Sequence, residues 1–147
     1  MTKEEIKNYS NSQYLKSFET NLALVGIRKD GIIEIKYTID DYDVEVADQI
    51  EIADALAKLT NNGSELFSVI VIPGLYGSIT KEARDYEIFE KDSFKNLISL
   101  GIVVHALHQR ILANFFLKFK MVKPTYPTKI FDSPDAALEW TLGQRVM

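Results

Sequence analysis

The hydrophobic pattern first becomes regular after residue 20. Residues 21–28 are apolar and β-compatible, and Lys29-Asp30-Gly31 follows. Asp-Gly is a strong hairpin signal, because both central positions of a type I′ turn need φ > 0. Residues 32–37 then alternate, with Ile33, Ile35 and Tyr37 on one side and Glu34 and Lys36 on the other. This predicts a β-hairpin with one wet face. The period changes over 43–61, where Val46, Ile50, Ala53, Leu56 and Ala57 recur at helical spacing. Asn61-Asn62-Gly63 supplies the stop, since Asn and Gly tolerate the left-handed backbone of a helix C-cap.

Residues 66–72 (Leu-Phe-Ser-Val-Ile-Val-Ile) read as a central strand covered on both faces, ended by Pro73-Gly74. After Gly74-Leu75-Tyr76-Gly77, Ser78 or Thr80 can cap a helix reaching to about residue 90. A second buried strand is expected over 97–104, a strongly apolar helix over 105–121 broken by Pro124 and Pro127, and a short strand over 128–131. Asp132-Ser133-Pro134-Asp135 then opens a helix, with Ser133 as N-cap, Pro134 at the first helical position and Asp135 near the positive helix end. That helix carries Ala137, Leu138 and Trp140 and is expected to end near Gly143. Strands alternating with helices imply an α/β fold whose mixed, mostly parallel sheet has about five strands, an N-terminal β-hairpin and about four helices. No repeat or proline-rich linker interrupts the pattern, so 14–147 reads as a single domain behind a polar arm, 1–13.

Composition narrows the chemistry. The 147 residues include no cysteine, which removes disulfides, thiolate metal sites and cysteine nucleophiles and fits a cytoplasmic location. The polar start Met-Thr-Lys-Glu-Glu-Ile-Lys-Asn lacks the apolar stretch of a signal peptide. The longest apolar runs fall well short of the ~20 residues a transmembrane segment needs. A net charge of −4 argues against nucleic acid as a partner, because phosphate neutralisation dominates such binding.

Five features carry candidate chemistry. Gly74, Tyr76, Gly77, Ser78, Thr80 and Lys81 join a buried strand to a helix start, a place where free N–H groups attract anions and α/β sheets hold ligands. The plainer reading is that the glycines turn the chain and Ser78 or Thr80 caps the helix. His105 and His108 share helical spacing, but two histidines complete no metal site; His105 is expected near the same strand edge as Tyr76. Asp40, Asp41, Asp43, Glu45, Asp48 and Glu51 fail the ligand spacing of a calcium loop and read as an acidic helix start. Residues 105–121 place Leu112, Phe115, Phe116 and Phe119 on a broad apolar surface framed by Arg110, Lys118, Lys120 and Lys123. Buried against the sheet this is core; left open it is a homodimer face or a site for a small apolar ligand or lipid. Each exposed Phe would forfeit about 1.5–3 kcal/mol of burial. No Gly-x-Ser-x-Gly elbow or local Ser–His–Asp set supports nucleophilic catalysis.

The order of elements resembles the STAS domain of bacterial anti-sigma-factor antagonists, and a broader group of STAS-like or CRAL-TRIO-like proteins. The resemblance covers residues 20–143. It rests on Asp30-Gly31-Ile32-Ile33, Lys81-Glu82-Ala83-Arg84, Leu112-Ala113-Asn114-Phe115-Phe116-Leu117 and Pro127-Thr128-Lys129-Ile130-Phe131 leading into Ala137-Leu138-Glu139-Trp140. It implies a non-enzymatic regulatory or binding module, without a cofactor or metal, that engages a protein partner through the 74–81 loop and the following helix. The family's Asp-Ser-Ser-Gly-like phosphosite is replaced by Gly77-Ser78-Ile79-Thr80-Lys81, leaving Ser78 and Thr80 as the nearby hydroxyls. The CRAL-TRIO-like side of the resemblance implies one alternative, a carrier or sensor of a small apolar ligand or lipid; an enzyme, which would need a pocket combining His105, Tyr76 and a strongly shifted carboxylate, is the second alternative.

Overall fold

The hairpin forms where the alternation predicts it, between β2 (Ala23–Arg28) and β3 (Ile33–Tyr37). In the computed structural model, which describes residues 14–86, 96–104 and 126–144, its turn is not type I′. Only Gly31 has positive φ (87°), Gly31 N donates to Arg28 O (2.9 Å) and Arg28 N donates to Ile32 O (2.8 Å). This is a three-residue connection, a type I turn closed by a left-handed glycine bulge. Asp30 favours that form: its Oδ1 accepts from Ile32 N (3.1 Å) and its Oδ2 from Arg28 Nε (3.2 Å).

A strand absent from the sequence expectation, β1 (Tyr14–Glu19), pairs antiparallel with β2 and converts the hairpin into a three-stranded meander. A register shift between Tyr14 and Lys16 turns Tyr14 to the face opposite Phe18 and leaves Leu15 exposed. Tyr14 then lies against Gly26, where a Cβ would sit 2.7 Å from its Cγ, and its hydroxyl donates to Glu34 Oε1 (2.8 Å). Glu34 is therefore buried, with Arg28 Nη1 3.7 Å away, and the expected wet face is covered at this point.

The main sheet has six strands, not about five, in the order β1-β2-β3-β5-β7-β8, with β5 at Phe67–Ile72, β7 at Leu97–Val103 and β8 at Thr128–Phe131. The pairs β3–β5, β5–β7 and β7–β8 are parallel. One face carries α1 (Val46–Leu59), whose Ile52, Leu56 and Leu59 join Ala23, Val25, Ile33, Ile35, Val69 and Leu100 in the larger core cluster. The other face carries α3 (Pro134–Gln144), where Ala137 packs with Ile32, Ile70, Val103 and Phe131. Ser133 caps α3 as expected, its Oγ accepting from Ala136 N (3.2 Å).

Helix α1 is shorter than expected: residues 41–44 are strand, and the acidic helix start reduces to Glu45 at the N-cap and Asp48 in the first turn, with Glu45 N donating to Asp48 Oδ2 (2.9 Å). The sheet also selects a neighbouring row of residues. Gln49, Ile52, Ala55, Leu56 and Leu59 are buried, while Ile50 of the expected stripe is exposed. The stop is as read: Asn61, Asn62 and Gly63 are all left-handed (φ 53°, 59° and 76°). Three helices are described in place of about four, because the expected helix over 105–121 lies outside the described residues, as does the arm 1–13.

Candidate functional site

The segment after β5 is not the simple loop the sequence suggests. Tyr76–Ile79 forms β6, which pairs in parallel with β4 (Asp41–Val44) as a separate two-stranded sheet. The pair follows the carboxyl ends of β3 and β5, which finish at Tyr37 and Ile72, the end of an α/β sheet where binding sites gather. Alternation divides it into two faces. Tyr42, Val44, Gly77 and Ile79 point inward, and Asp41, Asp43, Tyr76 and Ser78 point outward and are exposed.

Tyr42 organises the inner face. Its ring stacks on Tyr37 with centroids 4.8 Å apart and planes 6° from parallel, and its hydroxyl accepts from Gly74 N (3.0 Å). Gly77 is demanded by this ring, and Gly74 first by the Ile39 carbonyl oxygen and then by the ring. A Cβ at Gly74 would come 2.9 Å from Tyr42 Cε1, and one at Gly77 would come 2.7 Å from Tyr42 Cε2. Burial pushes the Tyr42 phenol up to about 12, helped by the Asp40 charge and opposed by the Gly74 hydrogen bond. Burial raises Tyr37 as well, with Tyr42 and Asp48 acting in the same direction. Leu22, Val44 and the buried Ala83 complete the small core beneath the pair.

The hydroxyls have structural partners. Thr80 Oγ1 accepts from Ala83 N (3.2 Å) and Thr80 O from Arg84 N (3.0 Å), so Thr80 caps α2 (Lys81–Tyr86). Ser78 Oγ donates to Asp43 Oδ1 and does not cap the helix. With Thr80 occupied in this way and carboxylates on the adjoining strand, the edge is poorly suited to anions. The helix expected to reach about residue 90 is described only as far as Tyr86.

Of the sequence candidates, the structure brings Gly74, Tyr76, Gly77, Ser78, Thr80 and Lys81 onto one short run, where the glycines and Thr80 build the fold and Tyr76, Ser78 and Lys81 reach the surface. His105, Leu112, Phe115, Phe116 and Phe119 lie outside the described residues. Sequence reasoning missed the other half of the site. Tyr76 is 63% exposed beside Leu75 (38%) and Ile39 (37%), with Tyr76 N donating to Asp40 O (2.7 Å). The Asp41-Tyr42-Asp43-Val44 alternation was the available signal, masked by its reading as a helix start. Among the described residues no group of three acidic or histidine side chains could hold a metal ion, and no helix is long and apolar enough to cross a membrane.

No curated protein and no solved structure matches the chain. Residues 26–143, which run from β2 into α3, match the family model described as Domain of unknown function (DUF7793), and the chain belongs to that family.

Proposed function

We propose that the chain is a STAS-like, non-enzymatic regulatory or binding module, acting in the cytoplasm, that engages a protein partner through the β4–β6 pair. The observation that carries this reading is the exposure of Tyr76, with Leu75 next to it in sequence and the exposed Ile39 next to Asp40, whose carbonyl holds Tyr76 N, on a backbone braced by the Tyr37–Tyr42 stack. A large aromatic presented on a rigid support loses little conformational freedom on binding, which is why Tyr recurs at the energetic centre of interfaces. Cross-linking in cells followed by mass spectrometry, with the wild-type chain, Tyr76→Ala and Leu75→Ser side by side, tests the reading. A partner cross-linked through the 74–81 segment and lost in both variants, with circular dichroism unchanged, supports it. Equal recovery of every partner by wild type and variants refutes it.

The carrier reading rests on the Phe115 and Phe116 segment of the sequence. Native mass spectrometry separates the two: a bound mass that vanishes on denaturation favours a small apolar ligand.

A further inference from the structure

We infer that the outward face of the β4–β6 pair recognises a cationic segment, a stretch of partner chain in which Lys or Arg accompanies apolar side chains. The inference deepens the docking proposal and rests on it. Asp41 is the direct register partner of Tyr76, and Asp43 of Ser78, so two carboxylates flank the exposed ring on the same sheet face. Asp40 is exposed next to them, and its carbonyl is tied to Tyr76 N. Residues 38–48 and 73–80 contain Asp40, Asp41, Asp43, Glu45 and Asp48 and no Lys or Arg, against Lys36 and the exposed Lys81 at their borders. Three of these acids have internal work: Asp43 accepts from Ser78, Asp48 accepts from Glu45 N and Asn21 Nδ2, and the Glu45 side chain accepts from Asp48 N in the capping box. Among the described residues no ion pair neutralises Asp40 or Asp41.

The combination selects by charge and by shape. An aromatic face attracts a guanidinium or ammonium group placed over it, and adjacent carboxylates strengthen that attraction. Ile39 and Leu75 alongside offer apolar contact to the stem of a long cationic side chain or to its neighbours. An acidic partner segment, or an anionic surface, meets like charge here and is rejected.

The test is selection of a random displayed peptide library on the full chain at low salt, followed by fluorescence-anisotropy titration of the enriched peptides. Wild type, Tyr76→Ala and the paired substitution Asp40→Asn with Asp41→Asn are compared. Both Asp side chains are exposed, so the Asn variant keeps shape and removes charge. The expected result is enrichment of net-positive peptides carrying apolar residues. Their affinity should fall about tenfold in Tyr76→Ala, about fivefold in the Asn pair, and about tenfold when salt rises from about 0.05 M to about 0.5 M. Enrichment of neutral or acidic peptides, or cationic peptides indifferent to the Asn pair, overturns the inference. If Tyr76→Ala still abolishes their binding, the docking face survives without its charge selectivity. If no enriched peptide depends on Tyr76, both the cationic inference and the docking face fall.

Discussion

Gly77→Ala should destabilise the protein through one identifiable collision. Gly77 does not have a left-handed backbone, so the added methyl group meets no dihedral penalty. It would stand 2.7 Å from Tyr42 Cε2 and nearer still to the ring's hydroxyl end. The ring cannot retreat freely, because it is stacked on Tyr37 at 4.8 Å and its hydroxyl holds Gly74 N at 3.0 Å. Forced repacking costs about 1–3 kcal/mol, and a partly lost stack and hydrogen bond each add about 0.5–1.5 kcal/mol. Against this, replacing Gly by Ala within a strand returns about 0.5–1 kcal/mol. The net expectation is about 3 kcal/mol, or a fall of about 6–12 °C in melting temperature for a domain of this size. The decisive assay is a double-mutant cycle by equilibrium urea unfolding. Tyr42→Ala alone should cost about 3 kcal/mol, and the double variant also about 3, because the methyl then has nothing to strike. A neutral Gly77→Ala, or a double variant at the sum of about 6 kcal/mol, would refute the packing argument.

Alkaline conditions should weaken the same region. Tyr42 titrates at about 12 in the folded chain and Tyr37 is also raised, against about 10 unfolded, so their contribution is intact below about pH 10 and is lost as pH climbs toward 12. Urea midpoints at rising pH, with tyrosinate absorbance alongside, should show steeper loss in wild type than in Tyr42→Phe; parallel curves would count against it. Ser68 and Ser99 face each other across β5 and β7, both buried, with neither hydroxyl hydrogen-bonded among the described residues. Ser68→Ala should therefore be neutral or stabilising by up to about 1 kcal/mol in the same unfolding assay, and a loss above about 1 kcal/mol would mean the hydroxyl is partnered in solution.

Much of the fold was legible because its signals are local. The Asp30-Gly31 turn, the Asn61-Asn62-Gly63 stop and the Ser133-Pro134 start each act over a few residues, and all three fall where the sequence puts them. The buried strands 67–72 and 97–103 were readable from apolar runs for the same reason. Even there the sequence left the geometry open: Asp-Gly is compatible with more than one turn, and Asp30's hydrogen bonds to Ile32 and Arg28 accompany the bulged form.

What only the tertiary structure decided depends on contacts between distant residues. Glu34 reads as a solvent-facing strand position, yet a register shift in β1 brings Tyr14 over Gly26 and buries it. The stripe of α1 was displaced by one row because neighbouring rows have similar apolarity, and the sheet, not the helix, selects between them. Half of the candidate site was hidden in the same way. Gly77 looks like a turn glycine until Tyr42 is placed against it, Gly74 until the Ile39 carbonyl and Tyr42 are, and Asp41 gains its meaning only as the partner of Tyr76. Hydrophobic periodicity therefore determines which segments become strands and helices. Which face is covered, and which side chains share a surface, is decided by strand pairing across long sequence separations, because its hydrogen bonds are backbone to backbone and leave no mark on side-chain identity.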